Sequence, residues 1–149
     1  MEKIELKESK RKISFDIKED KEFKVYPSCL ENVSIKQEIR LNFIASNTKS
    51  KIVFKCLTKE NVDLSLTFKL FATKENIEEV EAYLEVEILT LFDNSIRIEP
   101  FLEIPQKDIK FEHKVSIGSI NKDWLVYLMS KGLTEREATN LITQNYLKF

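Results

Sequence analysis

Residues 99–142 read EPFLEIPQKDIKFEHKVSIGSINKDWLVYLMSKGLTEREATNLI. Through Ile117 the apolar side chains Ile109, Phe111, Val115 and Ile117 alternate with polar ones. A period of two puts one set of side chains on one face and marks a half-buried strand. Past Gly118 the period changes. Trp124, Leu125 and Leu128 share one face of a helix, with Asn121 as its N-cap and Gly132 placed for the left-handed residue that closes it. Thr134 and Glu137 then stand at the spacing of a capping box, in which two orphan amides are satisfied reciprocally. Ala138, Leu141, Ile142 and Tyr146 form the apolar stripe of a second helix. The spacing predicts an αα-hairpin over 122–131 and 135–147.

The alternation extends upstream through Ile13, Phe15 and Ile17, then Ile35, Ile39, Leu41 and Phe43 with a gap at Gln37. Val62, Leu64, Leu66, Phe68 and Leu70 form the cleanest run. Leu84, Val86 and Ile88 follow, then Ile96, Ile98, Leu102 and Ile104. Short polar joints such as SNTKS, TKEN and FDNS separate these runs. TKENIEEVEAY fits either a helical turn or a loop entering a strand. Many short strands at even spacing fit a β-sandwich, and equally a β-helix whose rungs bury their inward faces against one another. The two glycines and the lack of Asn-Gly turns disfavour tight antiparallel hairpins. Periodicity alone leaves both architectures open.

With 149 residues the chain can bury one core. Its 24 basic and 25 acidic side chains give a net charge of −1, which argues against an electrostatic nucleic-acid binder. The basic run KESKRK is followed at once by the acids of DIKED and reads as a solvated edge. No apolar run reaches the roughly 20 residues that span a bilayer, and MEKIELKESK lacks the apolar segment of a signal peptide. The expectation is a cytoplasmic protein with no membrane contact. Cys29 and Cys56 stand 27 positions apart, and in a reducing compartment two scattered thiols are free. Cys56, in phase with Ile52 and Phe54, is expected to pack; Cys29, near Pro27, is expected in a loop.

Phosphate-binding and dinucleotide-binding glycine patterns and a nucleophile elbow are all absent from the sequence. One histidine gives a triad a single possible base, and Ser116 and Ser119 near it have no elbow context. The expectation is a protein that is not an enzyme. His113 shares a face with Phe111 and Val115, so the sequence predicts a buried neutral imidazole with one partner; the alternative is a metal or cluster ligand. Glu112 points to the opposite face, where it is solvated, and adjacent strand residues diverge too far to share one ion easily. His113 is the only metal-ligand candidate. The tail stripe either packs on the last strands or offers a partner a face centred on Trp124, Tyr127 and Met129, residue types enriched in binding hot spots.

This stretch resembles the C-terminal end of the SufB/SufD family of iron–sulfur cluster assembly proteins. Pro100, Leu102, Glu103 and Ile104 match the family's first segment; Asp108, Ile109, Lys110, His113 and Gly118 match its second without a gap. Val126, Tyr127, Leu128, Lys131, Gly132 and Leu133 look like the family's first terminal helix, and Glu135, Glu137, Ala138, Leu141 and Ile142 like its second. The match covers about 50 residues.

The resemblance implies a right-handed parallel β-helix of few coils over 1–118, with a helical hairpin over 119–149 packed on it in one domain. A β-sandwich with C-terminal helices is the alternative. It implies a SufD-like, non-catalytic partner in a SufB/SufC/SufD-type complex. The SufC-like ATPase would dock on Trp124, Tyr127, Leu128, Leu141 and Ile142. His113 and Glu112 would lie near an interface with a SufB-like subunit or a second copy, where a transient iron–sulfur cluster could form with no cofactor bound stably. A stand-alone β-rich interaction module without a cluster role is the alternative reading. A metal-binding protein using His113 with nearby carboxylates is a third. The family's cysteine before the histidine is Phe111 here, and the scaffold cysteine of the SufB branch would fall near Asn94. The chain is short for the family, and the resemblance makes it a reduced subunit without the N-terminal helical region.

Overall fold

The computed structural model describes residues 1–9, 11–72, 77–92, 94–103, 109–119 and 122–147. Among the described residues ten strands precede two helices. They are β1 (Glu2–Glu5), β2 (Lys12–Ile17), β3 (Lys21–Tyr26), β4 (Cys29–Leu30), β5 (Val33–Phe43), β6 (Lys49–Thr58), β7 (Val62–Phe71), β8 (Val80–Thr90), β9 (Ser95–Glu103), β10 (Ile109–Ser119), α1 (Lys122–Ser130) and α2 (Glu135–Leu147). The chain alternates between two sheets. One runs β1-β3-β6-β8-β10, with β4 also on β6; the other runs β2-β5-β7-β9. Every pairing is parallel. This is a parallel β-helix of about three turns with two C-terminal helices, and the parallel pairing excludes the antiparallel sandwich.

From β3 onward each turn of the solenoid advances the chain by about thirty residues. Ser34 stands opposite Asp63, 29 positions on, and Asp63 opposite Ser95, 32 positions on. Corners are built from asparagine in the left-handed region: Asn32 (φ 50°) and Asn61 (φ 55°) on one side, Asn47 (φ 58°) with Glu79 (φ 54°) on the other. Asparagine tolerates this region better than other residues with a Cβ, so the fold turns its corners with little use of glycine. At the corner before β9, Asn94 spends all its polar atoms. Its Oδ1 accepts from the Val62 amide at 2.9 Å, and its Nδ2 donates to the Thr58 hydroxyl at 3.0 Å and the Lys59 carbonyl at 2.7 Å.

Inward side chains stack in columns through the register. Phe23, Ile52 and Leu84 form one column; Phe54 and Val86 a second; Cys56 and Ile88 a third. All seven are buried. Across from them stand Ile35 and Leu64, Ile39 and Phe68, and Leu41 and Leu70. The gap at Gln37 is a buried amide in this core, not a break in the strand. Its Oε1 accepts from the Lys7 amide at 3.3 Å, while its Nε2 finds no partner among the described residues.

The expectation for TKENIEEVEAY resolves in part: Val80 opens β8, while 73–76 lie outside the described residues. Cys29 stands in the two-residue β4, not in a loop, because the rung resumes there against Leu57 of β6 after Pro27. Both thiols are free.

Candidate functional site: the terminal rung and the helical groove

β10 pairs with β8 and ends its sheet, so among the described residues its other edge is unpaired. Its inward side chains prolong the core columns by one more rung. Phe111 continues Ser50–Ala82, His113 continues Phe23–Ile52–Leu84, Val115 continues Phe54–Val86, and Ile117 continues Cys56–Ile88. Among the described residues the facing sheet ends at β9 and supplies no further rung beyond it. Val115 is therefore 37% exposed and Ile117 48% exposed, while their partners Val86 and Ile88 are each 1% exposed.

His113 is exposed, against the buried imidazole predicted from alternation. The side chain stands on the face that alternation predicts; what alternation cannot see is that, among the described residues, no strand lies across from it. The imidazole stacks on the Phe111 ring, with centroids 5.6 Å apart and planes 28° apart. Glu112 points out to solvent on the opposite face, as its phase requires. Among the described residues no three His, Cys, Asp or Glu side chains converge as a metal cage. Asn94, where the SufB branch would place its scaffold cysteine, is a corner staple with filled valences.

The hairpin follows. Asn121, Ile104 and Asp108 lie outside the described residues, so the N-cap of α1 and those two family matches are not described. Gly132 adopts φ 95°, and the amides of Lys131 and Gly132 return to the carbonyls of Leu128 and Met129 at 3.1 and 3.0 Å, closing α1. The capping box of α2 forms: Thr134 Oγ1 accepts from the Glu137 amide at 3.1 Å, and the Thr134 amide and hydroxyl donate to the Glu137 carboxylate at 3.5 and 3.0 Å.

Ala138 is buried, and Tyr146 clamps α2 to the outer face of the β1-β3-β6-β8-β10 sheet. The Tyr146 hydroxyl donates to the Glu87 carbonyl at 3.1 Å, and the Lys55 ammonium lies 4.8 Å from its ring centroid. Burial, then the Glu87 carboxylate, push its phenol pKa up.

The stripe does not close on itself. Trp124, Tyr127, Leu128, Leu141 and Ile142, the set that the resemblance implies for docking, converge on a groove of about 650 Å³ completed by Leu89, Asn145 and Tyr146. Trp124 is 66% and Tyr127 61% exposed. Tyr146 belongs to the predicted stripe of the second helix, while Leu89 is the contributor that the helical pattern missed, since it depends on how the hairpin sits against β8. Val126 and Met129 extend apolar exposure around α1.

Fold and site define a class: a short parallel β-solenoid with an uncovered terminal rung and a helical appendage that presents an apolar groove. Residues 22–146 match the SufBD core domain of the SUF system of FeS cluster assembly, and the chain belongs to that family. Over 108 residues it is 29% identical to the iron–sulfur cluster assembly protein SufB of Bacillus subtilis, covering 70% of this chain and 23% of that protein. Over 72 residues it is 36% identical to a SufBD family protein of Methanothermobacter thermautotrophicus, covering 48% of this chain and 18% of the relative. Over 106 residues it is 28% identical to the SufBD family protein ycf24 of Galdieria sulphuraria, covering 70% and 48%. The chain thus aligns with between 18% and 48% of the length of these relatives.

Proposed function

We propose that this chain is a SufD-like subunit of iron–sulfur cluster assembly, a non-catalytic partner in a SufB/SufC/SufD-type complex. It docks a SufC-like ATPase through the hairpin groove, and its terminal rung meets a SufB-like subunit or a second copy. The observation that carries this reading is the groove itself. Trp124, Tyr127 and Leu141 stay exposed beside Leu128 and Ile142 although α2 is already anchored through Ala138 and Tyr146. Large apolar side chains held out on a fixed scaffold are the composition of a binding hot spot.

The cluster is cargo here. Its iron favours thiolate ligands, and the terminal rung offers His113 with no cysteine from Lys110 to Ser119. Any cluster contact is transient and completed by the neighbouring subunit. The free thiols agree with a reducing cytoplasm, and among the described residues no helix is long and apolar enough to cross a membrane.

Co-purification with a SufC-like ATPase tests the reading. The wild-type chain retains the ATPase, and Trp124→Ala with Leu128→Ala weakens binding by about 2 kcal/mol or more, roughly thirtyfold. Failure of the wild type to bind, or equal binding by the double variant, rejects the docking role and leaves the stand-alone interaction module.

A further inference from the structure

The two ends of the solenoid are unlike. At the β10 end Val115 is 37% and Ile117 48% exposed, while on the first rung, formed by β1 and β2, Ile4 is 1% and Ile17 0% exposed. An inward side chain on a last rung stays open to water unless something lies across from it, so the first rung has a cover of its own.

Residues 1–21 make that cover. Each sheet supplies a strand to this end, β1 on β3 and β2 on β5. The first coil is also tighter. It advances 21 positions from Glu2 to Phe23 and 26 from Lys12 to Glu38, against 29 from Ser34 to Asp63 and 32 from Asp63 to Ser95. A smaller circumference brings facing side chains together. Phe15 of β2 meets Phe23 of β3, in the opposite sheet, with ring centroids 4.9 Å apart, and Leu6, just past β1, joins the same core.

Between β1 and β2 the chain is clipped to the rung above. The Leu6 amide donates to the Tyr26 carbonyl and the Glu38 amide to the Arg11 carbonyl, each at 2.8 Å. Side chains complete the seam: the Lys7 amide donates to Gln37 Oε1 at 3.3 Å, and the Ser34 amide to Glu8 Oε1 at 3.2 Å. The buried Gln37, which breaks the apolar pattern of β5, is thus an anchor for this segment.

The outer edges are blunt. β1 has four residues, of which Glu2, Lys3 and Glu5 are charged, and β2 has six, with Lys12 and Asp16 among them. Short charged edges resist the addition of a further strand. Both strands precede residue 22, where the match to the family begins.

We infer that residues 1–21 are a cap that ends the solenoid: a short coil that closes over β3 and β5, opens as a unit without unfolding the rungs above it, and blocks end-on association at this end. A solenoid stays soluble when its terminal unit has a polar outer face, and at this end the chain supplies that unit itself. The cap goes beyond the proposed function and does not rest on it.

Hydrogen exchange and the substitution Ile4→Asp in the full 149-residue chain test it. In the wild type the Leu6 and Glu38 amides exchange at least about tenfold faster than those of β7, because the cap opens first. Ile4→Asp puts a carboxylate at a buried site of the cap and speeds those two amides by a further factor of about ten or more, with β7 protection unchanged. The uncovered edges of β3 and β5 then associate, and sedimentation shows larger species than the wild type forms at the same concentration. A synthetic peptide of residues 1–21, labelled for fluorescence anisotropy, covers those edges again. It binds the Ile4→Asp chain about tenfold or more tighter than the wild type, whose site is already filled, and disperses the larger species. The same peptide carrying Ile4→Asp does neither. Capping in trans of this kind cannot come from misfolding.

Equal exchange of the cap and β7 amides in the wild type overturns the inference. So does loss of β7 protection in Ile4→Asp, since the first coil is then part of one folding unit. An Ile4→Asp chain that keeps the wild-type size, or that refuses the wild-type peptide, overturns it as well. Failure of ATPase docking with these results intact rejects the proposed function and leaves the cap standing; ATPase docking with the peptide refused does the reverse.

Discussion

Cys56 stands where an aliphatic side chain would, in the column it shares with Ile88. It is fully buried, and burial, with a smaller contribution from Cys29, pushes its thiol from the ordinary 9.0 up to about 12. Below pH 9 the thiol is neutral in both folded and unfolded chains, and the folded state keeps its full stability. Between pH 9 and 12 the unfolded chain releases the proton while the folded chain retains it, so stability falls as pH rises. Tyr146, whose phenol is also raised, adds a loss of the same sign at higher pH. Urea midpoints measured from pH 8 to 11 therefore decline for the wild type and decline less for Cys56→Ala, whatever the offset between the two curves at pH 8. Equal slopes would mean that the thiol is hydrated in the fold. At this scale the sequence was informative about direction and silent about cover: Cys56, Glu112 and His113 all point where alternation puts them, yet only Cys56 has a strand across from it.

At the scale of elements, the legible ones are those whose environment is uniform. β5 and β7 alternate cleanly because each has a core on one face and water on the other. β6 was harder to read because Leu57, on its outer face, is also buried, at the end where α2 packs. β3 offers only Phe23 and Val25 as buried positions before Pro27. The repeat itself hides because successive turns advance by unequal steps, 21 positions from β1 to β3 and 26 from β2 to β5 against 29 or 32 later, and share little beyond corner asparagines. The hairpin was legible because capping is local chemistry, and that chemistry is testable. Thr134→Ala removes the hydroxyl that accepts from the Glu137 amide, at a cost of about 1 kcal/mol to the first turn of α2. Native-state hydrogen exchange of that amide should accelerate roughly fivefold, while the β5 and β7 amides are unchanged. A change spread evenly over the chain would show that α2 and the solenoid open as one unit, and that the cap is not a local device.

For the molecule as a whole, one column samples the solenoid from its middle to its end. Cys56, Ile88 and Ile117 are successive rungs of the same stack, joined by register. Ile88 is 1% exposed and Ile117 48% exposed. A solenoid is stabilised by contacts between neighbouring turns, so a side chain counts for as much as the turns around it enclose. Ile88→Ala leaves a cavity between β6 and β10 and costs about 2–5 kcal/mol. Ile117→Ala removes the same atoms from a rung open on one side and costs under about 1 kcal/mol in the separated chain. Urea denaturation at sub-micromolar protein separates the two. An Ile117→Ala cost matching that of Ile88→Ala would mean that the last rung is already enclosed within one chain. The open end on which partner contact rests would then not exist.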